Sequence, residues 1–162
     1  MLMPDTRLPD ATFDIKAADG STSTVTVADV FEGRTVVLVG VPGAFTSTCH
    51  NAHVPQFVAN AEALRRRGAD RVAVLSVNDR HVMRAWAEAL KAVDKIDFLA
   101  DPLAAFTRAI EMDVDLAPAG LGLRCRRFSA IVRDRVVATV NVEPKGSRGI
   151  SATGAASALT QL

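Results

Sequence analysis

The residue best placed to do chemistry is Cys49, one of two cysteines in the chain. It follows an apolar, β-branched run at residues 35–41 (TVVLVGV), which reads as a strand buried on both faces. Pro42 and Gly43 end that strand, and Thr46, Ser47 or Thr48 can N-cap a helix that follows. Cys49 is thereby expected in the first turn of a helix, at the carboxyl end of a strand. Unsatisfied N–H groups and the positive end of the helix dipole favour a thiolate there over a thiol. The chemical gain is large. An ordinary cysteine near pKa 8.5 is only about 3% thiolate at pH 7, whereas one near 6 would be about 90%. The competing structural reading of Cys49 is a small apolar residue packed at a helix start.

The elements that must position it alternate in type. Phe13, Ile15, Val25 and Val27 lie in short alternating stretches around Asp19-Gly20, an early hairpin. Val54, Phe57, Val58, Ala61 and Leu64 recur at helical spacing, closed by Arg65, Arg66 and Arg67 and a capping Gly68. Pro55 should kink that helix by freeing the carbonyl of Asn51. Residues 72–77 and 96–100 read as further strands, with a helical stripe of Val82, Trp86, Ala89 and Val93 between them. A short helix is expected at 104–111, a hairpin at 128–132 and 136–142 around Asp134-Arg135, and a small-residue helix at 151–161. Together these predict an α/β fold of three layers, α/β/α, with a mixed central sheet and an N-terminal hairpin.

Composition narrows the function. A chain of 162 residues without repeat or linker is expected to form one domain, residues 1–162. Its net charge of +1 provides no field for nucleic acid, and 5% aromatics with no Tyr weaken base or sugar stacking. No apolar run approaches the roughly 18 residues of a membrane span, and the N-terminus lacks an apolar secretory core. A cytoplasmic, reducing setting is expected, where an important cysteine is chemical rather than structural. Neither nucleic acid nor membrane is an expected partner.

The segment PGAFTSTCHNAHVPQF at residues 42–57 resembles the active-site segment of peroxiredoxins of the type II/type V subfamily. The likeness continues through LSVND (75–79), LADP (99–102), RFS (127–129) and NVEP (141–144), in order along nearly the whole chain. The resemblance implies a thioredoxin-like fold and reduction of hydrogen peroxide and organic hydroperoxides by a thiol-dependent route; no cofactor is expected, and no metal either, because Cys49 and His53 can share a helix face as ligands but have no evident third or fourth partner. It implies Cys49 as the nucleophile, Thr46 as a hydrogen-bond donor or acceptor at the peroxide, and Arg127 as the activating cation. Pro42, Gly43, Thr48 and His53 would bind, shield or brace around them. Without the resemblance Arg127 is not distinguishable from its neighbours Arg124 and Arg126. Where the subfamily pattern has Pro, Ser and Gly, this chain has Ser47, His50 and Gln56. His50, beside the sulfur in sequence, could perturb it.

Peroxide would convert the Cys49 thiolate to a sulfenic acid, which must condense with a second thiol. The resolving positions that the resemblance suggests are Val74 and Ala152 here, so neither supplies one. Cys125 remains; strand alternation would put it on the same face as Arg127, yet a rigid strand cannot carry it to Cys49. An external thiol, glutathione with glutaredoxin or thioredoxin, is therefore favoured over Cys125 as the resolving group. The apolar stretch 116–122 and Phe45 would form a patch covered in a homodimer, as family members pair through loops around the active site. Two other classes remain in view: a thioredoxin-fold binding or chaperone module without chemistry, and a glutathione-dependent thiol transferase.

Overall fold

In the computed structural model, which describes residues 1–162, seven strands form one mixed sheet. The strands are β1 (Thr12–Lys16), β2 (Thr22–Thr26), β3 (Thr35–Gly40), β4 (Arg71–Ser76), β5 (Asp97–Ala100), β8 (Phe128–Arg133) and β9 (Val136–Val142). Their order is β2-β1-β5-β4-β3-β8-β9. The central β3, β4 and β5 run parallel, while β8 lies antiparallel to β3, and β9 to β8. Side chains alternate across the central strands, so the sheet separates two apolar clusters. Val36, Leu38, Ala73, Leu75 and Phe128 face one side, covered by α1 (Val27–Phe31) and α5 (Ala105–Ala109). Val37, Val39, Val72, Val74 and Ile131 face the other. There they meet α2 (Val54–Ala59), α3 (Ala61–Arg66), α4 (Arg80–Ala89) and α6 (Ala155–Gln161). The expected α/β/α layering, mixed sheet and N-terminal hairpin are all present.

Two local readings are corrected. Val27 begins α1 instead of extending a strand, because Thr26 and Asp29 close a reciprocal capping box just before it. The single helix expected over Val54 to Leu64 is broken at Asn60, whose side-chain amide donates to the Gln56 carbonyl at 2.8 Å and competes with the helical ladder. Residues 116–122 join a small ribbon that carries no sequence signal of its own, β6 (Asp113–Asp115) and β7 (Leu123–Cys125). Three-residue strands are too short to leave a readable alternation. The helix start around Pro55 departs from regular winding. The five residues before α2, Cys49–His53, are wound as a π-turn, and the Val54 N–H reaches back to the Cys49 carbonyl.

Register fixes what meets at the end of the sheet. Gly40, the last residue of β3, pairs with Phe128, the first of β8, and Phe128 pairs with Val142, the last of β9. The chain thus enters or leaves these strands side by side, which brings Val41, Arg127 and Glu143 to one edge. Gly40 is required for this row. A Cβ built there would lie 2.1 Å from the Phe128 ring, which covers the strand at that point. Gly40→Ala should therefore destabilise the protein by about 2–3 kcal/mol through overpacking, read from urea unfolding at pH 7.

Candidate active site

The loop leaving β3 carries Pro42, Gly43 and Thr46 around the edge of the sheet and into the turn that holds Cys49. Cys49 is fully buried on the side of the sheet shared with α2, α3, α4 and α6. Arg127 lies in the two-residue link between β7 and β8 and places Nη2 3.4 Å from the Cys49 sulfur. At that distance the guanidinium can donate a hydrogen bond to the sulfur. Arg127 Nη1 is 2.9 Å from His53 Nδ1, so one cation joins the two residues of the π-turn.

Thr46 does not cap the turn. Its hydroxyl donates to the Gly43 carbonyl at 2.8 Å, and no side-chain cap is present on the Cys49 turn. With its proton committed, the Thr46 oxygen can accept a hydrogen bond from a ligand but not donate one. Thr48 is turned away to donate to the Arg148 carbonyl at 2.8 Å, which ties the start of the helix to the segment after β9. Gly43 is buried under Arg124; a Cβ there would come within 2.9 Å of the Arg124 guanidinium and 3.0 Å of the Thr46 methyl. Pro42, Thr46, Thr48 and Arg127 line an open cleft of about 730 Å³. Leu116, Ala119, Arg126, Lys145 and Arg148 line the same cleft.

His50 does not address the sulfur. Its Nδ1 accepts from Trp86 Nε1 at 3.0 Å, and its ring stacks on Phe45 with centroids 5.5 Å apart. His53 turns the opposite way. Its Nε2 faces the Thr153 carbonyl at 2.9 Å and the Thr153 hydroxyl at 3.1 Å. Burial pushes its pKa down from 6.5 to about 4; the Thr153 carbonyl opposes this, the Arg127 charge adds to it, and Glu143 opposes it. Behind Thr153 sits Glu143, which accepts from the backbone and hydroxyl of Ser151, the backbone of Ala152, and the backbone and hydroxyl of Thr153. Burial pushes this carboxyl up, but the hydrogen bonds outweigh it and hold it at about 2. Glu143 and Thr153 were not singled out by sequence reasoning. Their partner His53 is 90 to 100 positions away, and no local spacing records such a contact.

Cys125 stands apart. The sequence reading placed it on one strand face with Arg127, but β7 ends at Cys125 and a new strand begins at Phe128. Cys125 is buried in the apolar cluster on the other side of the sheet from Cys49. Its thiol donates to the Arg126 carbonyl at 3.2 Å, and burial pushes its pKa strongly up. Both cysteines are free. No group of three or more His, Cys, Asp or Glu could hold a metal ion, and no helix is long and apolar enough to cross a membrane.

The Redoxin family model matches residues 3–159. Among curated proteins, the chain is 41% identical over 144 residues to Peroxiredoxin-2C of Oryza sativa subsp. japonica, covering 89% of each chain. It is 45% identical over 145 residues to Peroxiredoxin-2E-2, chloroplastic, of the same plant, covering 87% of this chain and 64% of that one. Among solved structures, reduced Prx3 from Vibrio vulnificus in complex with H2O2 superposes with a TM-score of 0.92 at 39% identity, over 99% of this chain and 98% of that one.

The low pKa of His53 has a sign that can be checked. The unfolded chain takes up a proton below about 6.5, whereas the folded protein resists until about 4, so stability falls as pH drops through that window. Between pH 7 and pH 5 the loss from this residue should be about 2 kcal/mol, read by urea unfolding. His53→Asn should flatten that slope.

Proposed function

The chain belongs to the Redoxin family, as a peroxiredoxin of thioredoxin-like fold and hence a thiol-dependent peroxidase, and on that premise we propose that Cys49 is its peroxidatic nucleophile, with Arg127 and Thr46 as its partners. The observation that carries this assignment is the 3.4 Å contact between the Cys49 sulfur and Nη2 of Arg127, a residue that lines the open cleft. The Cys49 thiolate attacks one peroxide oxygen. The S–O bond forms as the O–O bond breaks, and the departing oxygen leaves as alkoxide or hydroxide and takes up a proton to give alcohol or water. Arg127, aimed beforehand at the developing charge, stabilises it without reorganisation. The Thr46 oxygen accepts the peroxide O–H and aligns the O–O bond with the sulfur. Pro42 walls the cleft beside them, and Gly43 leaves room for Arg124 to close the loop from above.

The sulfenic acid at Cys49 is then reset by an external thiol. A thiol attacks sulfur and water leaves; a second thiol releases the Cys49 thiolate and carries away the disulfide. The burial of Cys125 on the other side of the sheet supports this one-cysteine cycle. Glutathione, with glutaredoxin, is the reductant we favour over thioredoxin. Arg126, Lys145 and Arg148, which line the cleft, take part in none of the protein's ion pairs and can meet its two carboxylates. A reducing compartment such as the cytoplasm supplies that thiol, and residues 1–162 act as one catalytic domain. The binding-module and thiol-transferase readings explain neither the family membership nor the Arg127–Cys49 contact.

Mass spectrometry after one equivalent of hydrogen peroxide tests the cycle. A trapped sulfenic acid at Cys49, with Cys125 intact, is expected; a Cys49–Cys125 disulfide would overturn it. Cys49→Ser should abolish turnover with glutathione and glutaredoxin, and Cys125→Ser should retain it.

We also propose a two-fold homodimer through the rim of this cleft. Parallel β3, β4 and β5 bring the loops after them to one end of the sheet, where Phe45 is 48% and Leu103 80% exposed. Ala117, Pro118 and Ala119 of the neighbouring β6–β7 connection are exposed as well. Apolar side chains so exposed around one edge call for a cover. Sedimentation at micromolar concentration should give twice the 17.2 kDa chain mass, and a monomer alone would refute the pairing.

A further inference from the structure

Resting on the reading of Arg127 as the cation that activates Cys49, we propose that His53, Thr153 and Glu143 are positioning residues, linked in a one-way hydrogen-bond chain that holds Arg127 against the sulfur. The direction follows from the two ends. A guanidinium can only donate and an ionised carboxylate can only accept. Arg127 Nη1 therefore donates to His53 Nδ1 across 2.9 Å, which leaves the imidazole proton on Nε2. That N–H is shared between the Thr153 carbonyl at 2.9 Å and the Thr153 hydroxyl at 3.1 Å. The hydroxyl passes its own proton to Glu143 Oε1 across 2.9 Å. Every proton points towards Glu143, and reversing the imidazole would set an Nδ1–H against the Arg127 N–H.

The need for such a chain lies in where Arg127 sits. It belongs to the link between strands, and its long side chain gives up rotamer freedom to stay in place. The guanidinium makes two contacts, one to the reacting sulfur and one to His53. The first changes whenever Cys49 is oxidised; the second does not. His53 is therefore the contact that keeps Arg127 aimed throughout a catalytic cycle. It must stay neutral to do so, since an imidazolium would have no lone pair to offer. The charged groups facing it are Arg127 and Glu143, and His50 and Cys49 share its turn. Glu143 is itself fixed by the start of the C-terminal segment, where Ser151, Ala152 and Thr153 wrap its carboxylate. The segment after β9 thereby belongs to the active site without touching the peroxide.

Two pairs of variants separate positioning from packing, with the rate of peroxide consumption by pre-reduced enzyme at pH 7 as the readout. An Asn oxygen at position 53 can occupy the place of Nδ1 and accept from Arg127; a Gln amide reaches instead to the place of Nε2. The chain predicts that His53→Asn stays within about threefold of the native rate while His53→Gln falls roughly 10- to 100-fold, as a misplaced catalytic group does. Packing alone predicts the reverse order, because Gln fills the buried site better, and that order would overturn the proposal. Thr153→Ser keeps the hydroxyl and should keep the rate, whereas Thr153→Val should slow the reaction severalfold. Equal rates in that pair would also overturn it. Thermal midpoints measured alongside confirm that each variant is folded. Arg127→Ala is the control for the underlying assignment and should lose about 100- to 1,000-fold. If it does not, the role of Arg127 fails; if it does and the Asn and Gln variants rank in reverse, only the chain fails.

Discussion

Everything at the reactive end of this protein depends on one row of backbone pairing, Gly40 to Phe128 to Val142. Because β8 runs antiparallel to both neighbours, its first residue lies beside the last residues of β3 and β9. The residues just outside the row are then forced into proximity: the loop that leads to Cys49, Arg127, and Glu143, whose backbone N–H bonds to the Arg127 carbonyl at 3.1 Å. A slip of one residue in either pairing would turn the side chains to opposite faces and separate the cation from the sulfur. The absence of a Cβ at Gly40 lets Phe128 lie across the row and lock it.

Above that row the site is a division of labour between a soft turn and a rigid brace. Pro55 cannot donate to the helical ladder, and the preceding residues widen into a π-turn rather than a regular helix. Cys49 and His53 are both presented from that turn, so one guanidinium can bridge them. The aromatic stack of Phe45, His50 and Trp86 holds the opposite flank. Phe45 is in a left-handed conformation, φ 60°, which a large side chain adopts only where surrounding contacts compensate the strain.

Much of this was legible in the sequence, for identifiable reasons. The buried strands 35–41 and 72–77 announce themselves as unbroken β-branched runs, and Cys49 is marked by the strand, turn and helix-start residues before it. What periodicity could not supply was pairing between distant segments. Arg127 was separable from Arg124 and Arg126 only by resemblance, because its role comes from the β3–β8 register. Glu143 and Thr153 went unnoticed because their partners lie on the far side of the sequence. Cys125 was misplaced because strand alternation was carried through residues 125–127, where the chain in fact leaves the small ribbon and enters the main sheet within two residues. Val27 was misread although its signal, Thr26 with Asp29, was present; the alternation before it masked the cap.

Burying Cys125 in the apolar layer that Cys49 does not share has a consequence for how the molecule could be watched. Its thiol, pushed far from ionisation and closed to solvent, can meet a modifying reagent only when the sheet and its covering helices separate. Cys49, buried too, is held in the soft turn against Arg127, which lines the cleft, so its sulfur reports the state of that end of the sheet. The two sulfurs thus read different clocks within one chain, Cys49 following changes around Arg127 and Cys125 counting openings of the whole core.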